Sequence, residues 1–172
     1  MINSKMKLSL TELFDKVEAA PKGDRLSILK TQDNIILRTV LEHNFNPDCV
    51  YDLPEGAPPF KKDTGLPYGV TDSSLRAEYR RLYIFLKSYD KVPKIRKETL
   101  FIQILEGIHW TDAEILCLIK DKELQTKWPS LTVELVKELY PTMKVEEPPK
   151  EIAPAEGEPV KKGRGRPRKT PA

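Results

Sequence analysis

ETLFIQILEGIHWTDAEILCLIKDKEL, residues 98–124, decides the fold. Leu100, Phe101, Ile104, Leu105 and Ile108 recur at the three- and four-residue spacing of one helix face, and Gly107 is a natural stop. Immediately after it, Thr111 and Glu114 form a capping-box pattern, with Trp110 and Ile115 placed as its hydrophobic staple. The run EILCLIK then makes Cys117 a small buried hydrophobe. Two helices abut here with no period-two alternation, so the spacing predicts helix packed on helix.

The same period extends outward. LSLTELFDKVEAAP carries a capping box at Ser9 and Glu12, with Leu8 and Leu13 as staple and Leu10, Leu13, Phe14 and Val17 on one face. GDRLSILKT reads as a short helix capped by Asp24. DNIILRTVLEHNF reads as a third, with Ile36, Leu37, Val40 and Leu41 inward. TDSSLRAEYRRLYIFLKSYD reads as a helix capped by Asp72 or Ser74, with Leu75, Tyr79, Leu82, Tyr83 and Leu86 as its stripe. PSLTVELVKELYP closes the series, capped by Ser130 and ended by Pro141, and Leu82, Phe101, Leu105, Ile115 and Leu135 are expected core residues. Between the third and fourth helices, residues 46–70 hold five prolines and three glycines, which forbid regular helix. Val50, Tyr51, Leu53, Phe60, Leu66, Tyr68 and Val70 suggest an extended strap that buries its own side chains. The expectation is an all-α, compact bundle of about seven short helices with a Pro-rich extended strap and a disordered C-terminal tail.

Charge divides the 172 residues unevenly. Residues 1–143, the expected helical domain, carry 21 basic and 21 acidic groups, so the net charge of +3 comes from the remainder. Residues 144–160 form an acidic, Pro-rich segment whose scarce apolar residues cannot offset the entropy of ordering it, so it reads as a disordered tether. Residues 161–172 are basic. No apolar stretch approaches the roughly 20 residues that span a bilayer, and the amphipathic first residues do not read as a secretory leader. These features point to a soluble, cytosolic protein.

LPEGAPPFK, LRAEYRRLYIF, the opening 98–124 stretch and LTVELVKELYP together resemble a family of small uncharacterised helical proteins of T4-like tailed bacteriophages. The resemblance covers most of residues 1–141. It implies a phage origin and a host bacterial cytoplasm, and it carries over no activity and no catalytic residue.

KKGRGRPRK, residues 161–169, resembles the AT-hook, whose core here is Arg164, Gly165, Arg166 and Pro167. A narrow A·T-rich minor groove is strongly negative and attracts inserted arginines. Its floor shows acceptors only, whereas G·C adds an obstructing amino group. Gly165, with no Cβ, lets the backbone approach that floor, and Pro167 favours extension of Arg166. The resemblance places Arg164 and Arg166 along the groove. Lys161, Lys162, Arg168 and Lys169 would then meet phosphates, adding salt-sensitive affinity without sequence information. The bland alternative is a solubilising tail; a nuclear localisation signal fits a bacterial host poorly. The acidic tether could keep clear of DNA or fold back on the basic segment.

Elsewhere the residues read structurally. His43 and His109 follow apolar stripes at helix ends, and a helix C-terminus suits His without catalysis. His43 and Cys49 lack further donors at zinc-like spacing. Gly163 and Gly165 begin a GxGxxG string that has no third Gly, and no phosphate-loop, HExxH or GxSxG motif occurs. Lys87, Lys91, Lys94, Arg96 and Lys97 around Tyr89 could form a nucleic-acid face. Asp90 and Glu98 dilute that cluster, and it reads as a solvated loop; Arg76, Arg80 and Arg81 read as the wet side of a helix.

The expected function is that of a non-enzymatic phage accessory DNA-binding protein without metal or cofactor. Its tail enters an A·T-rich minor groove weakly per hook, and its helical domain docks a protein partner or forms a homo-oligomer, with no membrane partner. The main alternative is a phage helical adaptor or virion-associated interaction protein whose basic tail is incidental. A third reading is an enzyme lidded by the strap.

Overall fold

In chain order the helices are α1 Leu10–Ala19, α2 Lys22–Thr31, α3 Ile35–Phe45, α4 Leu75–Glu78, a 3₁₀ helix Tyr79–Phe85, α5 Lys94–Gly107, α6 Trp110–Lys120, α7 Leu124–Lys127 and α8 Val133–Leu139. The computed structural model describes residues 8–145. Most of the expected tether and all of the basic segment 161–172 lie outside the described residues. Among the described residues no strand forms, and no helix is long and apolar enough to cross a membrane. The all-α expectation is met.

α6 is the hub, packed against α1, α3, α5 and α7. Ala113, Ile115, Leu116 and Ile119 on it are fully buried. α1 brings Phe14 to the Trp128 ring at 5.1 Å, and the Trp128 indole N–H donates to Asp15 at 2.7 Å. The capping box at Ser9 and Glu12 forms as the sequence predicts. Leu10, Leu13, Phe14 and Val17 are the buried face of α1. Met143 and Val145 still pack against the core.

Several caps lie elsewhere than the sequence suggests. Pro21 O accepts the Asp24 N–H, which starts α2 earlier than an Asp24 cap would allow. α4 is the exception: Ser74, one of the two caps expected there, takes the position and receives the Ala77 N–H. Thr111 cannot cap α6, because the ring of His109 holds that position and Thr111 is already inside the helix. Ser130 spends its backbone N–H on Glu18, and Thr132 caps α8 instead. That start puts Val133, Val136 and Leu139 on the buried face and leaves Leu135 half-buried. α6 ends at Lys120 rather than continuing to Leu124, and α7 is an additional short helix.

The expected single helix at 75–86 is α-helical for one turn and then 3₁₀. Side chains three apart eclipse in a 3₁₀ helix. Leu82 and Phe85 therefore point inward together, 0% and 1% exposed, and Tyr79 in the same row packs on the core. An α-helical stripe would have included Tyr83, which is 51% exposed.

The strap also departs from expectation. Tyr51 is buried, and Leu53 and Phe60 pack on the core. Val50, Leu66, Tyr68 and Val70 are exposed. Its first half is anchored through Asp52 N–H to Phe85 O at 2.7 Å and Lys87 N–H to Val50 O at 2.8 Å. Its second half has too few apolar contacts to sink, so polar bonds hold it.

Phe85→Ala should cost about 3–5 kcal/mol in urea unfolding, and Leu82→Ala about 2–5 kcal/mol. Tyr83→Ala should stay within about 0.5 kcal/mol of wild type. A larger loss at Tyr83 than at Phe85 would restore the α-helical register.

Candidate functional site

α6 carries a carboxylate near one end and an ammonium at the other, both inside the protein. Asp112 is 1% exposed and Lys120 6%. The strap answers both. Lys120 Nζ donates to Pro54 O at 2.7 Å and to the adjacent Asp121 carboxylate, whose other oxygen accepts the Gly56 N–H at 3.0 Å. Gly56 sits at φ +81°, where an L side chain would be strained. At the other end Tyr68 OH donates to Asp112 Oδ2 at 3.0 Å, and the Tyr68 ring meets His109 edge-on at 5.0 Å.

His109 has two jobs. Its Nδ1 lies 3.4 Å from the Thr111 backbone N–H, which can only donate, so Nδ1 accepts and Nε2 carries the proton. Nε2–H then donates to Leu66 O at 3.2 Å.

Two more lysines complete the fastening. Lys97 of α5, 1% exposed, donates to Asp52 Oδ2 at 3.2 Å and Leu86 O at 3.0 Å. Lys122, at φ 60° just past α6, reaches Asn46 O at 2.7 Å.

Burial holds the Asp112 carboxyl above its usual range, and the Tyr68 hydrogen bond opposes the shift. Asp112 Oδ1 is buried without a hydrogen-bond partner among the described residues, which also favours the neutral carboxyl. His43 lies against the Tyr51 hydroxyl at 2.7 Å, and burial lowers its pKa to about 4. Both rings are buried, 8% and 5% exposed. Cys49 and Cys117 are free and buried, and burial pushes both thiols up, Cys117 to about 11.

Clefts flank the strap. One of about 620 Å³ runs between Val50–Gly56 and the Lys87, Lys94 and Lys120–Glu123 side. A more apolar one of about 370 Å³ lies under Pro54–Pro59 against Phe101 and Ile102. In the larger cleft the lysines alternate with Asp52, Glu55, Asp121 and Glu123, and Lys120 is already bonded as a strut. No group of three or more His, Cys, Asp or Glu among the described residues could hold a metal ion.

The sequence-predicted hook residues, Arg164–Pro167 with Lys161, Lys162, Arg168 and Lys169, lie outside the described residues. Among the residues weighed for a nucleic-acid face, Lys87, Lys91, Lys94 and Arg96 are exposed, whereas Lys97 is a buried strut and leaves that set. Sequence reasoning missed Lys97, Lys120, Asp112 and Tyr68. A signal existed for Lys97: it stands four residues before Phe101 and seven before Ile104, on the apolar face of α5.

A family model described as a family of unknown function (DUF6433) matches residues 13–126. No curated protein and no solved structure matches the chain.

Lys97→Ala removes a buried strut from Asp52, whose side chain is 31% exposed and can turn to water, and should cost about 1–3 kcal/mol. Lys97→Met, which keeps the buried stem, should cost less, as read from urea midpoints. His43 supplies a pH signature. With a folded pKa of about 4 and an unfolded value of 6.5, the unfolded chain binds more protons between those limits. Stability should therefore fall as pH drops from 6.5 to 4, by at most about 3 kcal/mol from this group. His43→Gln should remove that part of the acid slope; an unchanged slope would clear His43 of the role.

Proposed function

The chain belongs to this family of unknown function, and from that premise we propose that it is a non-enzymatic accessory DNA-binding protein of a bacteriophage, acting in the host cytoplasm. The observation that carries the reading is the order Arg164-Gly165-Arg166-Pro167 with Lys161 and Lys162 before it and Arg168 and Lys169 after it. Arg164 and Arg166 enter the A·T-rich minor groove, and the flanking cations neutralise phosphates. A charge run needed only for solubility has no use for a Gly between two arginines or a Pro behind them.

The polar chemistry of the helical domain supports a scaffold role. Lys97, Lys120, Asp112 and His109 are all engaged in holding the strap. A single hook has little contact area, so affinity is gained by avidity when the domain docks a partner or oligomerises. A second reading, a helical adaptor with an incidental tail, is favoured by exposed Leu66, Tyr68 and Val70 on the strap. A nuclease-sensitive pull-down from infected cells supports the first reading, and a nuclease-resistant one supports the second.

Titration of the full chain against paired A·T-rich and G·C-rich duplexes at two salt concentrations tests the hook. The A·T duplex should bind more tightly and be displaced by minor-groove drugs. Arg166→Ala and Gly165→Val should remove most of that preference. Lys162→Ala should weaken both duplexes alike and lower the salt slope by about one unit. Equal affinity of the wild-type chain for the two duplexes would end the hook reading.

A further inference from the structure

The neutrality of residues 1–143 conceals a separation of charge. Residues 74–97 hold eight basic groups against Glu78 and Asp90, a net of +6, so the rest of residues 1–143 carries −6. Lys97 is spent inside as a strut, but Arg76, Arg80, Arg81, Lys87, Lys91, Lys94 and Arg96 are all exposed. Among these seven and the described residues, Arg81 forms an ion pair, with Glu78 at 3.0 Å. The others sit on α4, the 3₁₀ helix, the loop after it and the first turn of α5. Lys94 and Arg96 stand at the positive end of the α5 dipole, with no acidic residue in that turn. Local stability disfavours cations there, and like charges along the whole segment repel.

An aromatic stands among these cations. Tyr83 is 51% exposed and braced by Tyr89, edge to face with ring centroids 5.2 Å apart. The 3₁₀ turn that puts Leu82 and Phe85 in the core is what turns Tyr83 out. Ile95, 80% exposed, adds apolar surface beside Lys94 and Arg96.

We infer that this outward surface binds single-stranded nucleic acid, with the exposed cations tracking phosphates and Tyr83 stacking on an unpaired base. Arg80 stands three residues before Tyr83, in the same row of the 3₁₀ helix, so a cation and the protruding ring share one face. The protruding ring decides between strand and duplex. A duplex offers base edges in its grooves and no free base face, whereas every unpaired base presents one. These residues are distinct in sequence from the basic tail, and the inference does not depend on the hook.

Fluorescence anisotropy of the full chain with labelled dT20 and with an A·T-rich 20-base-pair duplex tests it. Tyr83→Ala should weaken dT20 about five- to tenfold and leave the duplex within about twofold, while Tyr83→Trp should retain dT20 binding. The pair Arg80→Glu and Lys91→Glu should lower dT20 affinity by more than about tenfold and flatten its salt slope by about 1.4, at 0.7 per lost phosphate contact. These side chains are exposed, and Arg80 gives up only its surface bond to the Tyr79 hydroxyl at 3.0 Å, so thermal melts of the variants should stay within about 4 °C of wild type. Unchanged dT20 affinity in Tyr83→Ala would overturn the inference. So would dT20 binding that is lost with Arg164→Ala/Arg166→Ala and kept with Tyr83→Ala, since the tail would then hold the strand. Failure of the hook shows instead as lost A·T preference in the duplex arm.

Discussion

α6 is enclosed by α1, α3, α5 and α7 and still carries Asp112 and Lys120 into the interior. An unanswered buried charge costs several kcal/mol and an unpaired buried polar group about 1–3 kcal/mol, so something must reach both ends of this helix. Asp112 and Lys120 are eight residues apart, about 12 Å along the axis. The strap spans that distance, bonding at Pro54 and again at Tyr68. Prolines suit it because an extended covering segment has no ladder to complete, and rigidity lowers the entropy lost in pinning it down. Lys97 and Lys122 repeat the device on Asp52 and Asn46.

This constraint separates what could be read in the sequence from what could not. Apolar periodicity marks α1, α3, α5 and α6 because their burial is local to each helix: Leu13, Phe14, Leu37, Val40, Phe101 and Leu105 are where the spacing puts them. Caps were less legible. The His109 ring accepts the Thr111 N–H and so caps the helix two residues before the hydroxyl that a propensity rule favours. The 3₁₀ helix was hidden because Leu75, Tyr79, Leu82, Tyr83 and Leu86 satisfy an α-helical stripe as well. Packing selects the row containing Leu82 and Phe85. Lys97 stands on the apolar face of α5, but which strap groups the lysine struts reach was illegible, since those partners lie 45 to 76 positions away in sequence. The hook is the reverse case, a short motif read from residue order, and its residues lie outside the described ones.

The folded domain thus uses its inner polar groups to close itself and places its cations outside, on α4, the 3₁₀ helix and the start of α5.

One amide-resolved NMR titration of the full chain with an A·T-rich duplex tests that division most directly, because glycines stand on both sides of it. The expected result is saturable shifts at Gly163 and Gly165 while Gly56, bonded to Asp121 on the strap, stays in place. Shifts at Gly56 with Gly163 and Gly165 silent would contradict it, making the strap the binding element and the tail incidental.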